Sequence, residues 1–176
     1  ISLPKNSLAP INTALLYDPA FAELLQSQTL NPAAVNSAAL STQACCGQGY
    51  VIISPDAFTT ALQPLITLKQ NQGYQVTLAT LGAGSSNTDI KAYLQNAYNN
   101  WPTPPSYVLL VGDTNLLPAW QGIKITKKTD LYYATMDGSS DYIPDLFYGR
   151  LPARSVEQVA SMVNKISSYA AFNGSE

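Results

Sequence analysis

Histidine is absent from all 176 residues, and this absence limits the available chemistry more than any other feature. Without an imidazole the chain cannot build a Ser-His-Asp triad, a Cys-His dyad or a histidine-based metal site from its own side chains. Cysteine is nearly absent as well, since the only two, Cys45 and Cys46, are sequence neighbours. Adjacent cysteines cannot close an ordinary unstrained bridge with each other, and they lack the C-x-x-C spacing of zinc or redox sites. They read as two small thiols, with a strained redox disulfide or an intermolecular bridge as the alternatives. Charge is scarce too, at 11% Asp, Glu, Lys and Arg against about a quarter in typical globular domains. Asn, Gln, Ser, Thr and Tyr carry the polar surface instead, a balance that suits an extracellular protein. A net charge of −2 offers nothing to attract nucleic acid or an anionic membrane. No apolar run approaches the roughly 20 residues of a spanning helix. The chain opens at Ile1 with no starting Met and no signal peptide, which suggests a processed or excised piece.

What is present is globular. Hydrophobic residues make up 46% of the chain, enough to bury a core in one domain of this length. Residues 1–49 read as a lead-in and linker, with a short helix opening at Asp18-Pro19 and a tail ending in Cys-Cys-Gly-Gln-Gly. The pattern changes at Tyr50. Tyr50–Ile53 is a β-branched run expected for a strand buried on both faces. Ser54-Pro55-Asp56 then signals a helix start, and Phe58, Leu62, Leu65 and Ile66 keep helical spacing to about Asn71. Gly73 stands where a helix C-terminus favours a left-handed residue. Tyr74–Leu81 is a second strand, and 82–87 a loop capping a second helix with Ile90, Tyr93, Leu94, Ala97 and Tyr98 on one face. Tyr107–Val111 is a third strand.

This alternation predicts an α/β three-layer sandwich with a mostly parallel sheet, doubly wound, with the first and third strands adjacent and the second outside the first. Further on, Ile123–Lys127 and Leu131–Thr135 read as short strands, and Asp145–Arg150 as another sheet strand. Ser155 and Gln158 form a capping box for a last helix with Val156, Val159, Val163, Ile166 and Tyr169 on its buried face. The organisation is thus 1–49 lead-in, 50–170 α/β subdomain and 171–176 tail.

Four places could carry chemistry, each with a plainer structural use. Gly112-Asp113 sits at the carboxyl end of the central strand, where open α/β sheets bind ligands; Asp113 could equally cap its own turn. Asp130, Asp137, Asp141 and Asp145 lie around Gly138-Ser139-Ser140, an oxygen-rich stretch that suits calcium without EF-hand spacing. The same acids could simply be solvated turn residues. Gly82–Ser86 looks like a phosphate-cradling turn, but it lacks G-x-G-x-x-G and the Walker lysine, so no nucleotide is expected. Arg150, at a strand end, could clamp a carboxylate or pair with one of the aspartates. No G-x-S-x-G elbow is present.

The segments YVIISPDAF, LITLKQNQGYQVTLA and SYVLLVGDTNLLP, and above all TDLYYATMDGSSDYIPDLFYGRLPARSVEQVASMVNKISSYA, taken in this order, resemble the catalytic region of gingipain-type cysteine peptidases. The resemblance spans roughly residues 16–169. It implies a caspase-like fold (also flavodoxin-like in its winding) and places the chain in the first, non-catalytic half of a two-half catalytic region. The catalytic His and Cys would then lie in the second half, downstream. Cys45 and Cys46 precede the first strand, away from the family's nucleophile, and inherit no catalytic role. The family's structural calcium points to Asp137 and Asp141 as metal ligands. The resemblance further implies a secreted or cell-surface bacterial endopeptidase, with the catalytic half and a protein or peptide substrate as partners. Two other readings stand beside it: a non-enzymatic scaffold or binding module of a secreted cell-surface protein, and a small-molecule-binding α/β domain using the Gly112-Asp113 edge.

Overall fold

The computed structural model describes residues 48–81, 84–122 and 127–171. The expected lead-in helix at Asp18 and both cysteines lie outside the described residues. The elements in order are β1 (Gly49–Ser54), α1 (Thr59–Asn71), β2 (Gln75–Thr80), α2 (Asn87–Asn100), β3 (Pro105–Val111), β4 (Trp120–Gln121), β5 (Lys128–Thr129), β6 (Phe147–Leu151) and α3 (Val156–Ala171).

The main sheet runs β2-β1-β3-β6, and every pairing in it is parallel. The predicted order of the first three strands is therefore the observed one, and β6 adds beside β3. Val51, Ile52 and Ile53 are buried to 0–1% exposure, because β1 is central and covered on both faces. One face packs Ile52 and Val111 against Phe58, Leu62 and Leu65 of the first helical segment and Val159 and Val163 of α3. The other packs Val51, Ile53, Val108 and Leu110 against Ile90 and Leu94 of α2. Leu117, Tyr133, Ala134, Met136 and Leu146 complete that second core. The long excursion between β3 and β6 thus takes part of the layer where a second crossover helix would stand.

Local chemistry explains the element ends. Ser86 and Asp89 form a reciprocal capping box at the start of α2. Gly73 follows α1 with φ +91°, the left-handed value its position requires. Before α1, Asp56–Phe58 forms a single 3-10 turn. Ser54 does not cap it, because its hydroxyl donates to the Pro55 carbonyl. At the amino end of the sheet, a side chain on Gly49 would stand 2.5 Å from the Pro104 carbonyl oxygen, at the irregular step where β1 meets β3.

Three expectations need correction. Leu131–Thr135 is not a strand: Leu131–Tyr133 is a 3-10 turn, since Tyr133, Ala134 and Met136 all enter the core and an alternating strand could not present them together. Val156 and Tyr169 are 40% and 83% exposed, so the buried stripe of α3 is narrower than its apolar pattern. The Ser155–Gln158 box is only half made. The Gln158 amide donates to Ser155 Oγ at 3.4 Å, but the Gln158 side chain accepts from the Arg154 amide rather than from Ser155. Most of the predicted Ile123–Lys127 strand lies outside the described residues; β4 and β5 on either side of it pair antiparallel.

Candidate functional site

The carboxyl edge of the sheet is where this architecture places ligands, and here it is built by latching loops together. After β3 the chain continues its pairing with the β6 side, with the Gly112 amide on the Leu151 carbonyl at 2.9 Å and the Asp113 amide on the Ala153 carbonyl at 2.8 Å. Gly112 has φ +141°, strained for any residue with a Cβ. The Asp113 carbonyl then accepts from the Leu116 and Leu117 amides, closing a tight turn.

The Asp113 side chain is fully engaged. One oxygen accepts from the Thr114 amide at 2.7 Å and the other from Arg154 Nε at 2.6 Å. These bonds hold its carboxyl below the usual range, the Thr114 amide contributing most. The turn-capping use of Asp113 is therefore the one realised, joined by an ion pair that spans 41 residues of sequence.

Arg150 forms the second latch. Its Nε and Nη2 grip both Asp130 oxygens at 2.8 Å, while Nη1 donates to the Gly112 carbonyl at 2.7 Å and the Leu117 carbonyl at 3.0 Å. The Arg150 side chain is 11% exposed and that of Asp130 18%. One guanidinium fork thus joins β6, the turn after β3 and the loop after β5, a bidentate geometry that lysine cannot reproduce.

The pairing withdraws Asp130 from the expected acidic group. The other three acids do converge: carboxylate oxygens of Asp137, Asp141 and Asp145 lie within 4.8 Å of one another. Calcium binds oxygen at about 2.3–2.6 Å, so oxygens on opposite sides of one ion would stand that far apart, and the three residues fit the expected metal. They would supply three of the six to eight ligands it takes. Part of their capacity is already used, since Asp141 accepts from the Ile143 amide at 2.9 Å and Asp145 from the Met136 amide at 2.5 Å. Burial raises the Asp145 carboxyl, and repulsion from Asp137 and Asp141 adds to that shift.

Lys91, on α2, is the group that sequence reasoning missed. Its ammonium reaches the Thr135 carbonyl and lies 5.1 Å from the Tyr132 ring centre. Burial lowers its pKa, opposed by attraction to Asp145 and Asp141. No sequence signal marked it, because its partners Tyr132 and Thr135 are 41 and 44 residues away. Ser86, from the phosphate-like turn, has its amide and hydroxyl bonded to Asp89, as the cap of α2.

Beside the acids, the β4–β5 ribbon and the 131–142 segment enclose a cleft of about 620 Å³ lined by Trp120, Lys127, Thr129, Tyr132, Asp141 and Tyr142 among others. Among the described residues no helix is long and apolar enough to cross a membrane.

These features define a doubly wound α/β module whose loops are latched together at the carboxyl edge of the sheet. The profile of peptidase family C25 matches residues 47–176. Lys-gingipain of Porphyromonas gingivalis is 31% identical over 125 residues, which is 68% of this chain and 7% of that protein. A solved structure described as a protease is 30% identical and superposes with a TM-score of 0.62, covering 69% of this chain and 28% of that one. The crystal structure of the Arg-specific cysteine proteinase gingipain R shares the fold at a TM-score of 0.62 and 22% identity, covering 70% and 28%. The chain belongs to peptidase family C25, the gingipain-type cysteine peptidases. It spans a small fraction of the curated relatives it matches.

Proposed function

We propose that residues 50–170 are the supporting, non-catalytic half of a secreted gingipain-like cysteine endopeptidase, whose Cys/His dyad is carried by polypeptide outside these 176 residues. The observation that carries this reading is the absence of histidine from a chain that belongs to a cysteine peptidase family. The edge geometry agrees with it. Asp113 and Arg150, the charged groups best placed for chemistry at the carboxyl edge, are spent on holding loops together. In the complete enzyme a thiolate would attack the peptide carbonyl, a histidine would move the protons and backbone amides would hold the oxyanion. This half would contribute a rigid sheet and a fixed edge beside that centre. The low charge and the kinship with gingipains support the secreted part of this reading.

The chain alone is expected to show no iodoacetamide-sensitive cleavage of an unfolded protein such as reduced casein, whereas the longer polypeptide is expected to show it. Thiol-dependent turnover by the 176-residue chain would overturn the assignment. A longer polypeptide without a His/Cys pair would favour the scaffold reading.

The acids at 137, 141 and 145 would hold a structural calcium ion that fastens the excursion. Titration calorimetry with calcium chloride is expected to give a saturable heat. At a free concentration 100-fold above the dissociation constant, stabilisation should be about 2.7 kcal/mol. Asp141→Asn should abolish most of that gain. Equal responses of wild type and variant would remove the site.

A further inference from the structure

The cleft between the β4–β5 ribbon and the 131–142 segment has no part in the latches or in the dyad chemistry. Its volume of about 620 Å³ lies in the range of sites that hold a ligand. Its walls are aromatic, with Trp120 and Tyr132 locked edge-to-face at 4.7 Å between ring centres and 73° between planes. Tyr142 stands at the mouth, 63% exposed. Thr129, Thr135 and Ser139 add hydroxyls to the lining.

Charge is distributed unevenly around it. Lys127 and Lys128 line the ribbon side, and Asp141 lines the opposite segment. Both lysines are exposed, and among the described residues neither takes part in an ion pair. Among the described residues, the Lys128 ammonium donates to the neutral Thr114 hydroxyl at 3.3 Å. A ligand seated here therefore meets an uncompensated positive end and an apolar, aromatic middle. The position also matters: the Lys128–Thr114 contact places the ribbon against the turn that follows β3, at the carboxyl edge of the sheet.

We propose that this cleft is an exosite for an extended polypeptide segment that carries an aromatic or large aliphatic side chain next to an acidic residue. The apolar side chain packs against the joined Trp120–Tyr132 pair beside Tyr142, and the acid faces Lys127 and Lys128. Rigid aromatic anchors with small hydroxyl neighbours are the composition that binds peptide surface at low entropic cost. A neutral sugar fits less well. Trp120 abuts the Tyr132 ring edge-to-face and Lys91 lies over that ring, so Tyr132 offers no open stacking platform, and a sugar leaves the lysines without a partner. The inference rests on the peptidase reading for its purpose, which is to hold unfolded substrate near the edge, but its test does not depend on cleavage.

The test uses the 176-residue chain with Trp101→Phe, which leaves Trp120 as the only indole. Its emission is followed during titration with the blocked peptide acetyl-Gly-Phe-Asp-Gly-amide. A saturable change is expected, weaker by about five- to tenfold for the Lys127→Ser/Lys128→Ser variant and for the same peptide with Lys in place of Asp. Replacing Phe by Ala in the peptide should remove the response. Failure to saturate at millimolar peptide, an equal response to maltotetraose, or indifference to the lysine substitutions would each overturn the proposal. If the longer polypeptide proves unable to cleave but this chain still binds the peptide, the peptidase reading fails and the exosite stands.

Discussion

Arg150→Met is expected to lower the melting temperature by roughly 10–20 °C, the largest effect of any single substitution at the carboxyl edge. Its guanidinium satisfies the Asp130 carboxylate twice and the carbonyls of Gly112 and Leu117 once each. Removing it leaves a nearly buried carboxylate without its partner, a loss of about 3–5 kcal/mol. Arg150→Lys restores the charge but not the fork, so most of the loss should remain. Arg150→Met combined with Asp130→Leu should recover much of the stability, because the penalty comes from the stranded charge rather than from the pair's net worth. Thermal unfolding of the four proteins decides this. If Arg150→Met melts within about 2 °C of wild type, roughly a half-kcal/mol change on this scale, the latch is ornamental.

Tyr133→Ala should cost about 3–5 kcal/mol, as for other large buried aromatics. Tyr133 is fully buried, it belongs to the core beneath α2, and its hydroxyl donates to the Pro118 carbonyl. The ring ties the excursion to the sheet, so the cleft should loosen along with the fold. Tyr133→Phe keeps the ring and should lose only about 1 kcal/mol for the hydrogen bond. Its informative signature is alkaline. Burial pushes the Tyr133 phenol up to about 12, above the usual value near 10. The folded state therefore holds the proton more tightly. The contribution of this group to stability is complete below about pH 10 and is lost as the pH rises towards 12. Denaturant titrations across that window should show a steeper decline for wild type than for Tyr133→Phe. Parallel declines would mean that Tyr50 and Tyr93, also raised by burial, or other groups dominate.

Both predictions concern contacts that join residues far apart in sequence, and this is where sequence reading runs out. The strand order followed from alternation of β-branched runs and helical faces, because parallel crossovers leave few arrangements. Ile52 and Leu94 read as core from spacing alone, and they are core. Arg150 could be marked as pairing with an aspartate, yet nothing local chose Asp130 among four. Asp137 and Asp141 were legible as an oxygen-rich turn; that Asp145 converges on them depends on its return past Ala134, where its amide meets the Ala134 carbonyl at 2.8 Å. The Leu131–Thr135 error has the same origin. Of five residues that could form a strand, Leu131–Tyr133 became a 3-10 turn because Tyr133, Ala134 and Met136 all enter the core beneath α2.

By itself the sequence determined the α/β class, the parallel order of the first three strands and the impossibility of histidine chemistry within the chain. Each follows from short-range periodicity or from composition. Tertiary structure alone decided the Arg150 and Arg154 latches, the reach of Lys91 and the aromatic cleft. Those depend on bringing together groups 12 to 44 residues apart, and only the closed fold fixes such distances.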